Sequence, residues 1–313
     1  MAQAFGGELG DGRIGDDLTR AVRLPVMTVR SGSAHGPNFF IIGAEKAGTT
    51  SLCELLAAHP SVFISEPKEP NFFTRADVTA DELADYTALF AEGSGAAAVG
   101  EASTTYSKAL TYPGTAERIA AFAPAARILY IARHPLRRLE SQWLQRRHVG
   151  LDVGLTFDAA LRSVPAYIDA SLYWRNISAY RNHFPDDRIL VLFLEDLAVD
   201  REAERDRCLR FLDLPATGRL TDLDQPRNPW TGLREDGRLL GVLRRSRWYH
   251  PVRDHVVPPA VRRRLKPMAT RPFVQRPEWS ADLQVWVRAQ TREDNERFLD
   301  FYRRPLDFWS MDA

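Results

Sequence analysis

Cysteine is scarce: Cys53 and Cys208 are the only two in 313 residues. Two thiols build neither a disulfide framework nor a cysteine metal cluster. Cys53 falls within a helical pattern, where a buried free thiol is expected. Net charge is also missing, because 42 Lys and Arg nearly cancel 41 Asp and Glu to leave +1. A protein that meets nucleic acid or a membrane surface through bulk charge would be strongly basic, so neither partner is expected. No apolar run approaches the roughly 20 residues of a membrane helix. The opening "MAQAFGGELGDGRIGDDL" has no cationic start followed by an apolar core, so it does not read as a secretory signal. A reduced, cytoplasmic setting is the expectation that follows. What is present is 44% hydrophobic and 27% charged residues, enough to bury a core and stay soluble.

Residues 1–36 are rich in Gly, Asp and Arg without periodicity and read as a flexible N-terminal tail. Residues 37–313 read as a single domain, with no internal repeat and no dividing linker. Five runs read as strands: Asn38–Gly43, Val62–Ser65, Ala97–Glu101, Arg127–Ala132 and Arg188–Glu195. The first, fourth and fifth are nearly continuous in apolar residues, as strands covered on both faces should be. Helical patterns fall between them at Thr50–Ala58, Ala80–Leu89, Ala116–Ala123, Leu136–Arg147 and Leu172–Asn182. This alternation predicts an α/β fold: a P-loop-like, three-layer α/β/α architecture with a central, mainly parallel sheet of about five strands. Ligands in such sheets sit outside the carboxyl ends of the strands. Beyond Glu195 the sequence predicts a helix ending near Leu214, a polar loop from Thr217 to about Gly237 that could cover the site, and a closing helix in "ADLQVWVRAQTREDNERFLDFY".

The stretch "FFIIGAEKAGTTSLCELLAAHP" carries the first chemistry. Gly43 ends a strand and Thr50 opens a helix, whose free N–H groups and dipole favour an anion. Gly48 permits close backbone approach, and Thr49, Thr50 and Ser51 add hydroxyls. An ATP-binding loop places lysine directly after its second glycine. Here Gly48 is followed by Thr49, the lysine is Lys46 inside the loop, and no acidic residue clearly takes the magnesium-holding part. The loop therefore suits a phosphorylated ligand without ATP–Mg²⁺ geometry. A second anion site is built at the end of the fourth strand. Arg133 stands there, Pro135 suits the first turn of the next helix, and Arg138 and Ser141 share one face of it. An arginine fork with a hydroxyl can grip a second phosphate. Arg137 and Arg147 read as solvated surface.

Three segments, in order and spacing, resemble the PAPS-dependent sulfotransferase family, where PAPS is the adenosine-based sulfate donor. "IIGAEKAGTTSLCELLAAHP" resembles its 5′-phosphosulfate loop, and "ILYIARHPLRRLESQW" resembles its 3′-phosphate segment. "KEPNFF", Lys68–Phe73, resembles the segment after the second strand in the heparan-sulfate type and in many bacterial members. A weaker likeness runs from Asn38 to the closing "LDFYRRPLDFW". The resemblance implies PAPS as co-substrate and PAP as product, with no metal. It implies donor binding by Lys46, Ala47, Gly48, Thr49, Thr50 and Ser51 at the loop and by Arg133 and Ser141 at the 3′-phosphate.

Sulfuryl transfer needs a base for the acceptor proton and charge stabilisation on the departing phosphate. Glu69, just beyond the second strand at the loop's edge of the sheet, is the candidate base, and the resemblance places the family's catalytic glutamate there. Lys46 could stabilise the bridging oxygen, with Lys68 helping from the opposite side. The cytosolic type uses a histidine after the third strand, but that segment here reads "GEASTTYSKAL", with Glu101 and no histidine. His134 and His59 read as helix-end residues. Lys68, Phe72, Thr105 and Tyr106 are the candidate acceptor contacts, although Thr104–Tyr106 would serve equally as an ordinary polar loop and the aromatics as core. Arg227 or Arg234 could cover the nucleotide, though the family's Lys/Arg–Gly signature is not clean here. The expected acceptor is a hydroxyl or amine on a small molecule or carbohydrate, and the oligomeric state is left open. The alternatives are a P-loop small-molecule kinase and a noncatalytic nucleotide-binding protein.

Overall fold

In the computed structural model the described residues are 36–152, 154–216 and 277–310, with the backbone of two short strands at 234–236 and 270–272. The expected tail, up to residue 35, and most of the expected covering loop, including Arg227, lie outside them.

The five expected strands form one sheet: β1 (Phe39–Gly43), β2 (Val62–Ile64), β3 (Ala98–Ala102), β4 (Arg127–Ala132) and β5 (Ile189–Phe193). Their order is β2-β3-β1-β4-β5 and every pairing is parallel. β1 and β4 occupy inner positions, and Phe39–Ile42 and Ile128–Ala132 are all 0% exposed. Cover on both faces is why these strands are unbroken apolar runs rather than alternating ones. β5 stops at Phe193 rather than Glu195, because a short helix, Leu194–Val199, starts immediately.

Helices on both faces complete a three-layer α/β/α fold: α1 (Thr49–Ala57), α2 (Ala80–Ala88), α3 (Thr115–Phe122), α4 (Pro135–His148), α5 (Phe157–Ser163), α6 (Ala166–Asp169) and α7 (Tyr173–Arg181). The short helix Leu194–Val199 is α8, and α9 (Arg201–Phe211) follows it. Local caps explain several starts. Thr79 and Glu82 form a reciprocal capping box at α2, and Asp200 accepts from Ala203 N at the start of α9. α5 and α6 were not expected from the sequence, and α6 is a single turn with no room for a period. The loop expected at Thr217–Gly237 contains a strand, β6 (Arg234–Asp236), antiparallel to β7 (Thr270–Pro272).

The main core surrounds the sheet. A second cluster lies beyond α4, where Leu136, Leu139 and Trp143 meet Phe157, Leu161 and Tyr167. The closing helix, Ala281–Phe301, enters both: Leu283 and Val287 join the second cluster, Phe298 and Leu299 the first. Among the described residues no helix is long and apolar enough to cross a membrane.

Candidate active site

Parallel pairing brings the carboxyl ends of β1, β3 and β4 to one edge, and the segments leaving them converge. The loop after β1 is tied to β4 at once, by Ala44 N donating to Ile131 O at 2.7 Å. Gly48, just before α1, has φ 102°, and a Cβ there would stand 2.6 Å from Leu194 Cδ1. Glycine is required both by the dihedral and by this approach. Two arginines hold consecutive loop carbonyls: Arg133 donates to Lys46 O at 3.2 Å, and Arg138 to Glu45 O at 3.4 Å. A trans peptide sets its N–H opposite its C=O, so the N–H groups that follow these carbonyls turn away from the arginines. The Lys46 ammonium donates to Gln145 Oε1 of α4, and the Lys68 ammonium to Thr50 Oγ1 at 2.9 Å.

The two anion sites read in the sequence therefore adjoin, because Arg133 touches the backbone of Lys46 itself. Ser141, 5% exposed, lies on α4 between Arg138 and Gln145, both of which reach the loop. Burial lowers the pKa of Lys46; nearby Glu45 opposes this, Arg133 and Lys68 push it lower, and Glu69 opposes. Lys46, Arg133 and Lys68 thus lie close enough to act on one another beside the carboxylates of Glu45 and Glu69.

Glu69 is pinned at this edge by its N–H, which donates to Ala102 O at the end of β3 at 3.0 Å. Its φ is 61° and that of Asn71 is 55°, left-handed values that cost a non-glycine residue on the order of 1 kcal/mol or more. Asn71 Nδ2 donates to Glu69 O at 2.7 Å, and Thr105 Oγ1 donates to Asn71 Oδ1. The carboxylate accepts from Thr104 Oγ1 at 3.3 Å. A turn secured on three sides places Glu69 among the charges that act on Lys46.

A sequence model described as the sulfotransferase domain matches residues 36–226. The chain belongs to the sulfotransferase family. It is 30% identical over 194 residues to mouse (Mus musculus) heparan sulfate glucosamine 3-O-sulfotransferase 3A1, covering 58% of this chain and 47% of that one. It is 26% identical over 275 residues to rat (Rattus norvegicus) carbohydrate sulfotransferase 15, covering 66% of this chain and 49% of that one. The chain thus spans about half the length of these curated relatives. A sulfotransferase structure from Alicyclobacillus acidocaldarius shares the fold, with a TM-score of 0.63 at 23% identity, covering 88% of this chain and 98% of that one.

Within this sulfotransferase fold the remaining expected residues separate. Ala47 and Thr49 are buried, Thr50 is exposed and Ser51 is half-buried. Thr105 is half-buried and donates to Asn71 Oδ1. Phe72 is half-buried and stacks on Tyr86 at 4.3 Å. Tyr106 is a correction: it is 1% exposed and its hydroxyl accepts from Phe73 N at 3.3 Å, so it belongs to the core and not to an acceptor surface. Glu101 likewise turns inward, 0% exposed, accepting from Tyr86 and from Ser103 Oγ at 2.9 Å, and burial pushes its pKa up. Arg138 is also 0% exposed, and its guanidinium is taken up by Ser171 Oγ, Gln142 Oε1 and Tyr167 O at 2.9, 2.9 and 2.6 Å. It supports the loop from within. His134 caps α4, accepting from Leu136 N at 3.2 Å, and His59 accepts from Ser61 N at 3.1 Å. The sequence reading missed Gln145, Gln142, Glu45 and Lys108. For Gln145 a signal existed, since it is one helical turn beyond Ser141.

Proposed function

We propose that this protein transfers a sulfuryl group from PAPS to a hydroxyl or amine of a small-molecule or carbohydrate acceptor, releasing PAP. The observation that carries the reading is the contact of Arg133 with the Lys46 carbonyl, which brings the two segments expected to bind anions side by side. A donor with phosphates at both ends of one ribose suits that pairing. The crowding of Lys46, Lys68 and Arg133 suits a polyanion, whose charge would relieve their mutual repulsion. The curated relatives are named for carbohydrate acceptors, which supports a sugar hydroxyl or amine.

PAPS would supply the sulfuryl group and a phosphate leaving group. The residues at Lys46–Ser51 would hold its 5′ end, and Arg133 with Ser141 its 3′-phosphate. Lys46 would remain beside the oxygen on which negative charge grows. Glu69 would take the acceptor proton at its carboxylate, with Thr104 orienting it. Lys68, held on Thr50, and the half-buried Phe72 would flank the acceptor.

Thermal melting with PAP, ATP with Mg²⁺ and ATP alone tests the donor class. Stabilisation by PAP without metal, exceeding that by either ATP sample, is the expected result. Preference for ATP with Mg²⁺ would favour a kinase. PAP binding without consumption of PAPS across an acceptor panel would favour a noncatalytic binder.

A further inference from the structure

Lys108 is 8% exposed and stands outside the anion loop, after β3. Its ammonium meets Glu45 Oε2 at 2.6 Å, and the same oxygen accepts from Gln142 Nε2 at 2.9 Å. Gln142 in turn accepts from Arg138, which also reaches the Glu45 carbonyl. Glu45 is therefore shared by the two buried cations Lys108 and Arg138, while its chain neighbour is Lys46. A nearly buried ammonium is costly unless paired, so Lys108 and Glu45 stabilise each other and fix the loop between Ala44 and Lys46.

We propose that Lys108 is a positioning residue for the donor: by clamping Glu45 it sets the course of the loop and the share of Glu45's charge that reaches Lys46. The inference rests on the sulfotransferase reading of the loop. The charged groups acting on Lys46 are Glu45, Arg133, Lys68 and Glu69. Glu45 favours the lysine cation. With Lys108 removed, Glu45 is less neutralised and holds Lys46 protonated to higher pH. With Glu45 removed, Lys46 loses its proton at lower pH. A residue that merely filled space would not move the two variants in opposite directions.

The test is PAP affinity by calorimetry across the alkaline range, for wild type, Lys108→Met, Lys108→Arg, Glu45→Gln and the double variant. The expected alkaline loss of affinity moves to higher pH in Lys108→Met and to lower pH in Glu45→Gln. A shift of roughly half a pH unit would appear as about threefold in affinity on the alkaline limb, above the wild-type midpoint. Lys108→Arg should follow wild type, and the double variant should follow Glu45→Gln. Should Lys108→Met fail to fold, the arginine and double variants still decide the matter. Shifts of one sign in Lys108→Met and Glu45→Gln, an unmoved limb in either of these two, or a double variant that departs from Glu45→Gln would overturn the inference. A wild type that binds no PAP at any pH would instead overturn the sulfotransferase reading.

Discussion

Asp294 offers a test of how the closing helix supports the site. Its carboxylate accepts from Trp174 N at 2.9 Å and Arg175 N at 2.8 Å, so it caps α7 from outside that helix. The first residue of α7, Tyr173, donates its hydroxyl to Arg133 O at 2.5 Å. The cap thus steadies the segment that carries Arg133. Burial raises the Asp294 pKa from 3.8 to about 6, against the lowering effect of the two N–H bonds. An acid whose folded pKa is raised stabilises fully below its unfolded value, and that contribution is lost as pH climbs through the folded value. Between pH 4.5 and 7.5 the difference amounts to about 2 kcal/mol by linkage, and about 1 to 2 kcal/mol after allowing for partial exposure. Asp294→Asn keeps one acceptor oxygen and abolishes the titration. Urea unfolding of both proteins at the two pH values is the assay. The wild type should lose about 1 to 2 kcal/mol relative to Asp294→Asn on going from pH 4.5 to 7.5. A difference independent of pH, or one that moves in favour of the wild type on going to pH 7.5, would refute the assignment of burial as the dominant cause.

Three further outcomes follow from the site. Glu69→Gln should bind PAP with near wild-type affinity and lose turnover by 100-fold or more on the order expected for a general base; retained turnover would remove Glu69 from the chemistry. Arg133→Ala should weaken PAP by roughly tenfold to a hundredfold, the range of a charge-assisted hydrogen bond; equal weakening of an analogue lacking the 3′-phosphate would contradict its role. Gly48→Ala should cost about 1 to 3 kcal/mol in thermal or urea unfolding, from φ 102° and the 2.6 Å approach to Leu194; unchanged stability would show that the loop relaxes freely.

The strands were legible because inner parallel strands must be apolar on both faces, and Phe39–Ile42 and Ile128–Ala132 are. The loop was legible because a glycine between strand and helix is demanded locally. The clamp on Glu45 was not, since Lys108 is 63 positions away by number and no periodicity links them. Nor was the inward turn of Glu101. A strand covered on both faces gives no alternation to say where a carboxylate points, and its partners Tyr86 and Ser103 are visible only once the chain has folded. The pairing of β6 with β7 joins segments separated by 33 residues, beyond the reach of any local pattern. Tyr106 was misplaced for a related reason: a tyrosine after a strand can face the cleft or the core, and the hydrogen bond from Phe73 N selects the core.

Lys46–Ser51 and Arg133 with Ser141 are expected to hold one bisphosphorylated adenosine between them. A crystal structure of the protein with PAP tests it most directly. A single PAP is expected, its 5′-phosphate against the loop and its 3′-phosphate within hydrogen-bonding distance of Arg133. A PAP bound elsewhere, or one whose 3′-phosphate points away from Arg133, would contradict it.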